Sequence, residues 1–501
     1  MGNVLIKEET MTQIADAIRE KAGSSDLYKP YEMPEAILEI STYSGESIDP
    51  NKPIRFYDPY GELVYSYTMK EVEELKELPP LPEIKGLIGQ EWNWTLESIL
   101  EEGGEIEVGS LYITDDGSTR IYVELHEGAL NPKIGFKQKV SHSVKIDWGD
   151  GSEIETSDVN GGGVVSIEHQ YAVPGKYVIR LIPDEGRTLE LFGYTYSSVI
   201  LHKEPSSSYA NLVYANTIQK VELGRGVQEL GDYAFSSYRI KSVTIPKEVM
   251  KYNRAFGMCR SLEYLVMTRA VSNITTSAFD KCSSLRRVSF SETLVFLGQY
   301  SFYDCGQLQQ IYLTSKTRVG NGYIFSNAKS VKKIVVNDCA GVGENEFGGC
   351  SGVEKIILVG TALWEISGSA FRSCELLKEI ELPECVVRIK PYAFSHCYAL
   401  QKLKIPTGVT VISSNLCYNA YTLQEITVPS RVTSIENYAF FGCKGIENYY
   451  LLPTIPPALA SKNAFEVSSK TKIHVPKGSL EAYQTADVWS ELATYMVEME
   501  E

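Results

Sequence analysis

The chain has 501 residues, 43% of them apolar, and a formal net charge of −16. It is too long for one ordinary domain and apolar enough for packed cores. The acidic balance argues against a general nucleic-acid binder, which needs Lys and Arg to displace counterions from phosphates, and no run approaches the ~18 apolar residues of a membrane span, so no membrane insertion is expected.

Residues 1–45 carry two helical signals around a break. Ile14, Ala15 and Ile18 share one face, and Met33–Pro34 opens a second segment. This is too little for a core of its own, so a small helical attachment module, the start of an α+β N-terminal region, is expected to pack on a neighbour. The opening "MGNVLIKEETMTQ" has neither the basic start nor the long apolar stretch of a secretory signal. Ile6 also breaks the myristoylation pattern. Residues 46–112 follow with a linker, a hairpin around "DPYG", an acidic helix "MKEVEELKEL", the stiff "PPLPEI" and a "WNW" segment predicted as part of a helix module.

Residues 113–203 alternate apolar and polar through Val144, Ile146 and Trp148, turn at "GDG", and resume at His169 and Tyr171 before "PGKYVIRL". A β-sandwich is predicted. Asp147 and Asp150 supply two carboxylates, short of the roughly six oxygens that calcium takes, so they read as turn caps, with His169 hydrogen-bonded to the same loop.

Residues 204–455 are periodic. Phe235, Phe256, Phe279, Phe302, Phe325, Phe347, Phe371, Phe394 and Phe440 recur at 21 to 24 residues, with Cys417 in the one vacant place. Cys follows three residues after seven of these positions, an aliphatic residue six after, and another nine after. A period in the twenties predicts a solenoid of about ten stacked 23-residue units, because one unit cannot bury its apolar face alone. The "LxxIxLP" segments read as short strands and the "AF" segments as tight helical or 3₁₀ turns driving Phe inward. All ten cysteines lie between 259 and 443 without a CxxC pair. Zinc is not expected, and small buried thiols fit the slot better than a disulfide in every layer. Residues 456–501 end in "KIHVP" and an amphipathic helix, the polar cap that a terminal repeat needs.

Three resemblances follow from these motifs. "VTIP…AF…C…SLEYL" and "ITVPSRVTSIENYAFFGCKGIENYYL" resemble the treponemal surface-antigen class of leucine-rich repeats, which implies an α/β-type solenoid used in adhesion and in binding protein or glycan, not in catalysis. "WGDGS…H.Y..PG.Y.V.L" is similar to immunoglobulin-like sandwiches of the polycystic-kidney-disease type. The "IADAIREK…EMPEAI" opening, the "IRFYD…GELVYSYT" hairpin, "GQEWNWTLESI" and "ITDDGSTRIYVEL" together resemble modular tail and baseplate proteins of tailed phages and prophages. That last resemblance implies a virion protein made in the host cytoplasm without a signal peptide and attached to other tail subunits through its N-terminal region.

None of the six histidines sits in a metal or catalytic spacing, and no nucleophile elbow, P-loop or dinucleotide fingerprint is present. No enzyme, cofactor or metal is expected. The strand face carries the candidate receptor-binding residues Tyr264, Arg287, Tyr312, Lys333, Lys355, Lys402 and Lys404, a basic and aromatic stripe suited to acidic polysaccharide. The alternative is a solvated Lys/Glu face that keeps the strands soluble. The expectation is therefore a phage or prophage tail protein whose solenoid binds a host-surface glycan or protein. A bacterial surface adhesin is the first alternative and a polysaccharide depolymerase the second. No heptad run specifies the trimer usual for phage fibres, so a homotrimer stays open.

Overall fold

The computed structural model describes residue 49 and residues 51–500, apart from 139–142, 159–162, 186–187, 192–200, 203–216, 232–233, 236–238, 252–253, 315, 320–321, 338–340 and 362. The helical attachment module expected over 1–45 lies outside the described residues.

The first described unit is a four-stranded sheet in the order β2-β1-β4-β3, built from β1 (Ile54–Tyr57), β2 (Leu63–Tyr67), β3 (Leu87–Trp92) and β4 (Ile106–Thr114). The β1–β2 hairpin turns at Asp58, whose carboxylate accepts the amides of Tyr60 and Glu62. Helix α1 (Met69–Glu73) begins at a Thr68/Glu71 capping box. Helix α2 (Leu96–Glu102) is capped by Thr95. The "WNW" triplet therefore precedes the helix: Trp92 ends β3, while Asn93 and Trp94 form the turn.

Two further sheets follow. Their strands are β5 (Thr119–Leu125), β6 (Lys133–Gln138), β7 (Ser143–Asp147), β8 (Glu155–Asp158), β9 (Gly163–Glu168), β10 (Gly175–Pro183), β11 (Leu189–Leu191), β12 (Leu201–His202), β13 (Ile218–Glu222), β14 (Val227–Leu230) and β15 (Val243–Thr244). One sheet runs β15-β13-β5-β10-β7-β8 and the other β12-β6-β11-β14, with β9 on β6. The boundary expected at 203/204 is thus crossed by strand pairing. β5 pairs antiparallel with β13, β13 pairs parallel with β15, and β11 pairs parallel with β14. An open sheet edge leaves a row of amides and carbonyls unpaired. Here each sheet hands its edge to the first repeat, and one apolar core runs from Ile121 to Met496. The "GDG" loop sits as the sequence predicts. Asp147 and Asp150 accept the amides of Gly149 and Ser152. His169 bonds Asp150 at 2.8 Å and stacks on the buried Trp148 ring at 4.7 Å.

The repeats correct one expectation. Among the described residues no α-helix occurs between β15 and Leu480, so the solenoid is all-β and not α/β. Each repeat contributes short parallel strands and a stacked turn. One ladder holds the Leu and Ile positions, as in Gln310–Leu313, Lys333–Asn337, Lys355–Val359, Glu379–Ile380 and Lys402–Leu403. A second, shorter ladder holds pairs such as Glu365–Ile366 and Arg388–Ile389.

The turns explain the threefold spacing. Cys282 donates its amide to the Phe279 carbonyl at 3.3 Å, and Leu285 donates to the Cys282 carbonyl at 3.0 Å. Phe394, Cys397 and Leu400 repeat the pattern at 3.4 and 3.1 Å. Successive i→i+3 bonds bring every third side chain to one side. Between layers, alternate amides donate forward, as Ser277, Phe279 and Lys281 do to the carbonyls of Gln299, Ser301 and Tyr303.

The predicted columns form. Rings from Phe235 through Phe394 stack at 5.0–5.8 Å between centroids. Cys417 interrupts the column, and Phe440 packs instead on Tyr449 and Phe465. Each such Phe is fully buried, worth about 1.5–3 kcal/mol in removed apolar surface. The nine described cysteines are free. Their role exceeds small-residue packing: the thiols of Cys282, Cys305, Cys397 and Cys443 donate to the carbonyl of Phe256, Phe279, Phe371 and Cys417, one layer back, at 3.0–3.2 Å. Burial pushes the Cys350 and Cys397 thiols up to about 12.

At the far end the strand Lys472–Val475 is followed by α3 (Leu480–Thr485), a 3₁₀ turn at Trp489–Tyr495 and a last parallel strand, Met496–Glu498. Buried Tyr483 and Trp489 donate to the carbonyls of Pro453 and Pro457.

Candidate functional site

The strand face divides in two. Its first half is occupied by the four-stranded sheet. Tyr264 is buried with Tyr57, Leu111 and Val266. Arg287 lies 4.1 Å over the Tyr57 ring and 3.3 Å from Glu107. Tyr312 donates to Glu105 at 2.8 Å and accepts from Arg55 at 3.0 Å, and Lys333 is ion-paired with Glu105. Burial pushes the Tyr312 phenol up to about 12, and it lifts the Glu107 carboxyl above its usual range against the opposing pull of Arg287 and Arg55.

The "WNW" turn fastens this contact. Asn93 donates to the carbonyls of Met267 and Ser289 at 3.1 and 3.0 Å and accepts the Gly109 amide at 2.7 Å. The Trp94 indole donates to Phe290, and the Thr95 amide and hydroxyl both reach Glu292. β4 comes so close that a Cβ on Gly109 would stand 2.6 Å from Val266. Four of the seven stripe residues, Tyr264, Arg287, Tyr312 and Lys333, thus face the protein's own sheet and cannot form an open receptor face. Sequence periodicity places them on one ladder but carries no information on what covers it.

The second half is open, and Lys355, Lys402 and Lys404 are exposed. Their ladder reads Lys355, Glu379, Lys402, Glu425, and the next row reads Glu381 then Lys404. Glu379 is the strand partner of Lys402, and Lys404 pairs with Glu384. The charges alternate, so the geometry is that of a solvated Lys/Glu face, not a basic stripe.

The edge formed by the Phe turns differs from both. From Phe279 onward, residues two before and two after each Phe adopt left-handed backbone, as at Ser277, Lys281, Tyr392, His396 and Tyr438, a region that non-glycine residues rarely occupy. The turn is held in this form by the interlayer bonds, and side chains one, two and four places after Phe line the edge. In the distal layers several of these are aromatic, joined by Tyr438 two places before Phe440. Tyr421 stacks on Tyr398 at 5.2 Å and 4°. Tyr398 meets His396 at 5.8 Å, His396 meets Tyr418 at 5.5 Å, Tyr418 stacks on Phe441 at 5.6 Å, and Phe441 meets Tyr438 edge-on at 5.6 Å. Six rings form one unbroken chain of contacts. Tyr421, Tyr438 and Phe441 are 42, 42 and 36% exposed. Arg372 lies over the nearby Tyr392 ring and Lys444 over Tyr421. Burial and Arg372 lower the His396 imidazole below its ordinary range. Sequence reasoning passed over this edge, although the signal was present: Tyr398 and Tyr421, and Tyr418 and Phe441, recur at the same 23-residue period as the core.

Among the described residues no group of three or more His, Cys, Asp or Glu side chains is placed to hold a metal, and no helix is long and apolar enough to cross a membrane.

Comparison with known proteins bears on the repeats. The BspA type leucine rich repeat region matches in overlapping stretches over 206–332, 250–363, 321–447 and 364–485. No curated protein matches the chain. Similar solved structures include leucine-rich repeat proteins of Eubacterium ventriosum (19% identity, 39% of this chain and 63% of that one, TM-score 0.32) and Bacteroides ovatus (21%, 56% and 66%, TM-score 0.35). A leucine rich cell surface protein of Faecalibacterium prausnitzii is also similar (17%, 54% and 84%, TM-score 0.32). The chain spans less than two thirds of the length of the first two. With the family match extending over more than half of its residues, the chain belongs to the BspA type leucine-rich repeat family.

Proposed function

We propose that this chain is a non-enzymatic adhesion protein acting at a bacterial cell surface, with the distal repeats as its recognition region. Family membership supports the class. The observation that carries the reading is the chain of six contacting rings, three exposed and three half-buried, on a solenoid whose Phe column is fully buried. Contiguous exposed apolar surface on a soluble fold marks an interaction site. A stack of short strands held layer to layer also loses little conformational freedom on binding. Attachment to a phage tail rests on the sequence motifs of residues 11–125, and the immunoglobulin-like reading of 113–203 on its "WGDGS" motif; neither has a further observation behind it.

The test is saturable binding of the labelled full chain to bacterial and epithelial cells, read by flow cytometry and competed by unlabelled chain. Saturable, competed binding without release of sugar reducing ends is expected. No saturable binding to either cell type overturns adhesion, and release of reducing ends reinstates the depolymerase.

A further inference from the structure

We propose that the edge running from Tyr398 and Tyr421 through His396 and Tyr418 to Phe441 and Tyr438 binds a neutral linear polysaccharide lying along the repeat axis. The inference rests on the adhesion reading and names its ligand.

Four observations select this occupant. First, the four tyrosine rings are amphipathic and their polar ends are free. Among the described residues the hydroxyls of Tyr398, Tyr418, Tyr421 and Tyr438 bond no protein group, whereas those of Tyr171, Tyr449 and Tyr483 are each bonded to a carbonyl. A row of apolar ring edges carrying unused hydroxyls matches a sugar, which has apolar C–H faces rimmed by hydroxyls. Second, the groups repeat. Stacked pairs stand 5.2 and 5.6 Å apart, one per layer, so a ligand with its own short repeat meets equivalent groups in successive layers.

Third, the backbone of the edge is already used. Tyr392, Phe394 and His396 donate their amides to the carbonyls of Ser414, Leu416 and Tyr418, and Asn415, Cys417 and Asn419 donate to those of Asn437, Ala439 and Phe441. An extended peptide that adds as a strand needs such groups free. The patch is also short, three layers or roughly 10–15 Å along the axis at about 4.8 Å per layer, too small for the ~800 Å² per partner of a stable protein interface. Fourth, charge disfavours a polyanion. The chain carries −16, Arg372 and Lys444 are laid over rings, and Glu375 and Glu466 follow the same turns at the two ends of the patch.

The experiment is native affinity electrophoresis of the full chain in gels holding mixed-linkage β-glucan, glucomannan or xylan, with hyaluronate as the polyanion. At least one neutral polymer should retard the chain. Tyr421→Ser, at an exposed position, and Tyr398→Ser/Tyr421→Ser should weaken that binding about tenfold or more, with unchanged thermal midpoints, and Lys355→Ala on the strand face should leave it unaltered. Retardation by no neutral polymer, by hyaluronate alone, or equally in the tyrosine variants overturns the proposal, as does loss of a protein partner in those variants without glycan binding. Cell binding that survives Tyr398→Ser/Tyr421→Ser overturns this inference and leaves adhesion standing. Glycan retardation without cell binding overturns adhesion alone.

Discussion

The two halves of the strand face share one repeat and one ladder, yet their chemistry diverges. In the first half, Arg287, Tyr312 and Lys333 meet Glu105 and Glu107 from β4 and the segment before it, inside a contact sealed by Asn93 and Trp94. In the second half, Lys402 is exposed beside its strand neighbour Glu379. Identical ladder positions are thus an intramolecular joint in one place and a solubilising surface in another. What separates them is whether another element of the chain reaches that far. Ladder position alone is therefore a poor guide to which residues are free to bind.

Glu107→Ala should produce the largest change. It strips the central carboxylate from the buried Arg55 and from Arg287, and removing one partner of a buried ion pair costs about 3–5 kcal/mol. Faster hydrogen exchange is expected in β1, β4 and Tyr264–Val266, with Glu425–Val428 unaffected. Equal acceleration at both ends would show that the halves are not energetically distinct.

Glu346 lies between the halves, in the layer of Phe347. It is buried, accepts the Gly343 amide at 2.7 Å, and burial pushes its carboxyl from 4.5 to about 8. A folded-state value above the unfolded one means that the fold holds the proton more tightly. This group's favourable contribution is therefore complete below about pH 4.5 and is lost as pH rises toward about 8. Glu346→Gln should flatten that slope and raise stability at about pH 8 by roughly 2–4 kcal/mol, read from urea midpoints across the interval. An unchanged slope would place the titration elsewhere.

The smallest effect belongs to Lys402→Ala. An exposed lysine in an alternating ladder should change stability by less than about 0.5 kcal/mol. A loss of several times that, measured by the same urea titration, would mean that the distal ladder is an organised charge network.

Much of the fold was legible from residues alone. The Phe period, the Cys slot and the Leu and Ile positions follow from the need of each small unit to bury one face against the next, and a period is a local property of the chain. The closing strand and helix at 472–485 were legible for the same reason. Two features were not. Strands β5 and β11 pair with β13 and β14 roughly 40–100 positions away, so no window of sequence reveals that these sheets and the solenoid share one core. The thiol-to-carbonyl bonds of Cys282, Cys305 and Cys397 depend on layer-to-layer placement, which spacing implies but does not orient.

The candidate site divides in the same way. Sequence by itself determined that this chain is a stacked column with an aromatic core and a repeating surface, because burial of apolar side chains at a fixed period admits few other solutions. Only the tertiary structure decided which part of that surface is free. Occupancy of Tyr264, Arg287, Tyr312 and Lys333 depends on contacts with residues more than 150 positions earlier, and long-range contacts of that kind are set by packing, not by any local pattern.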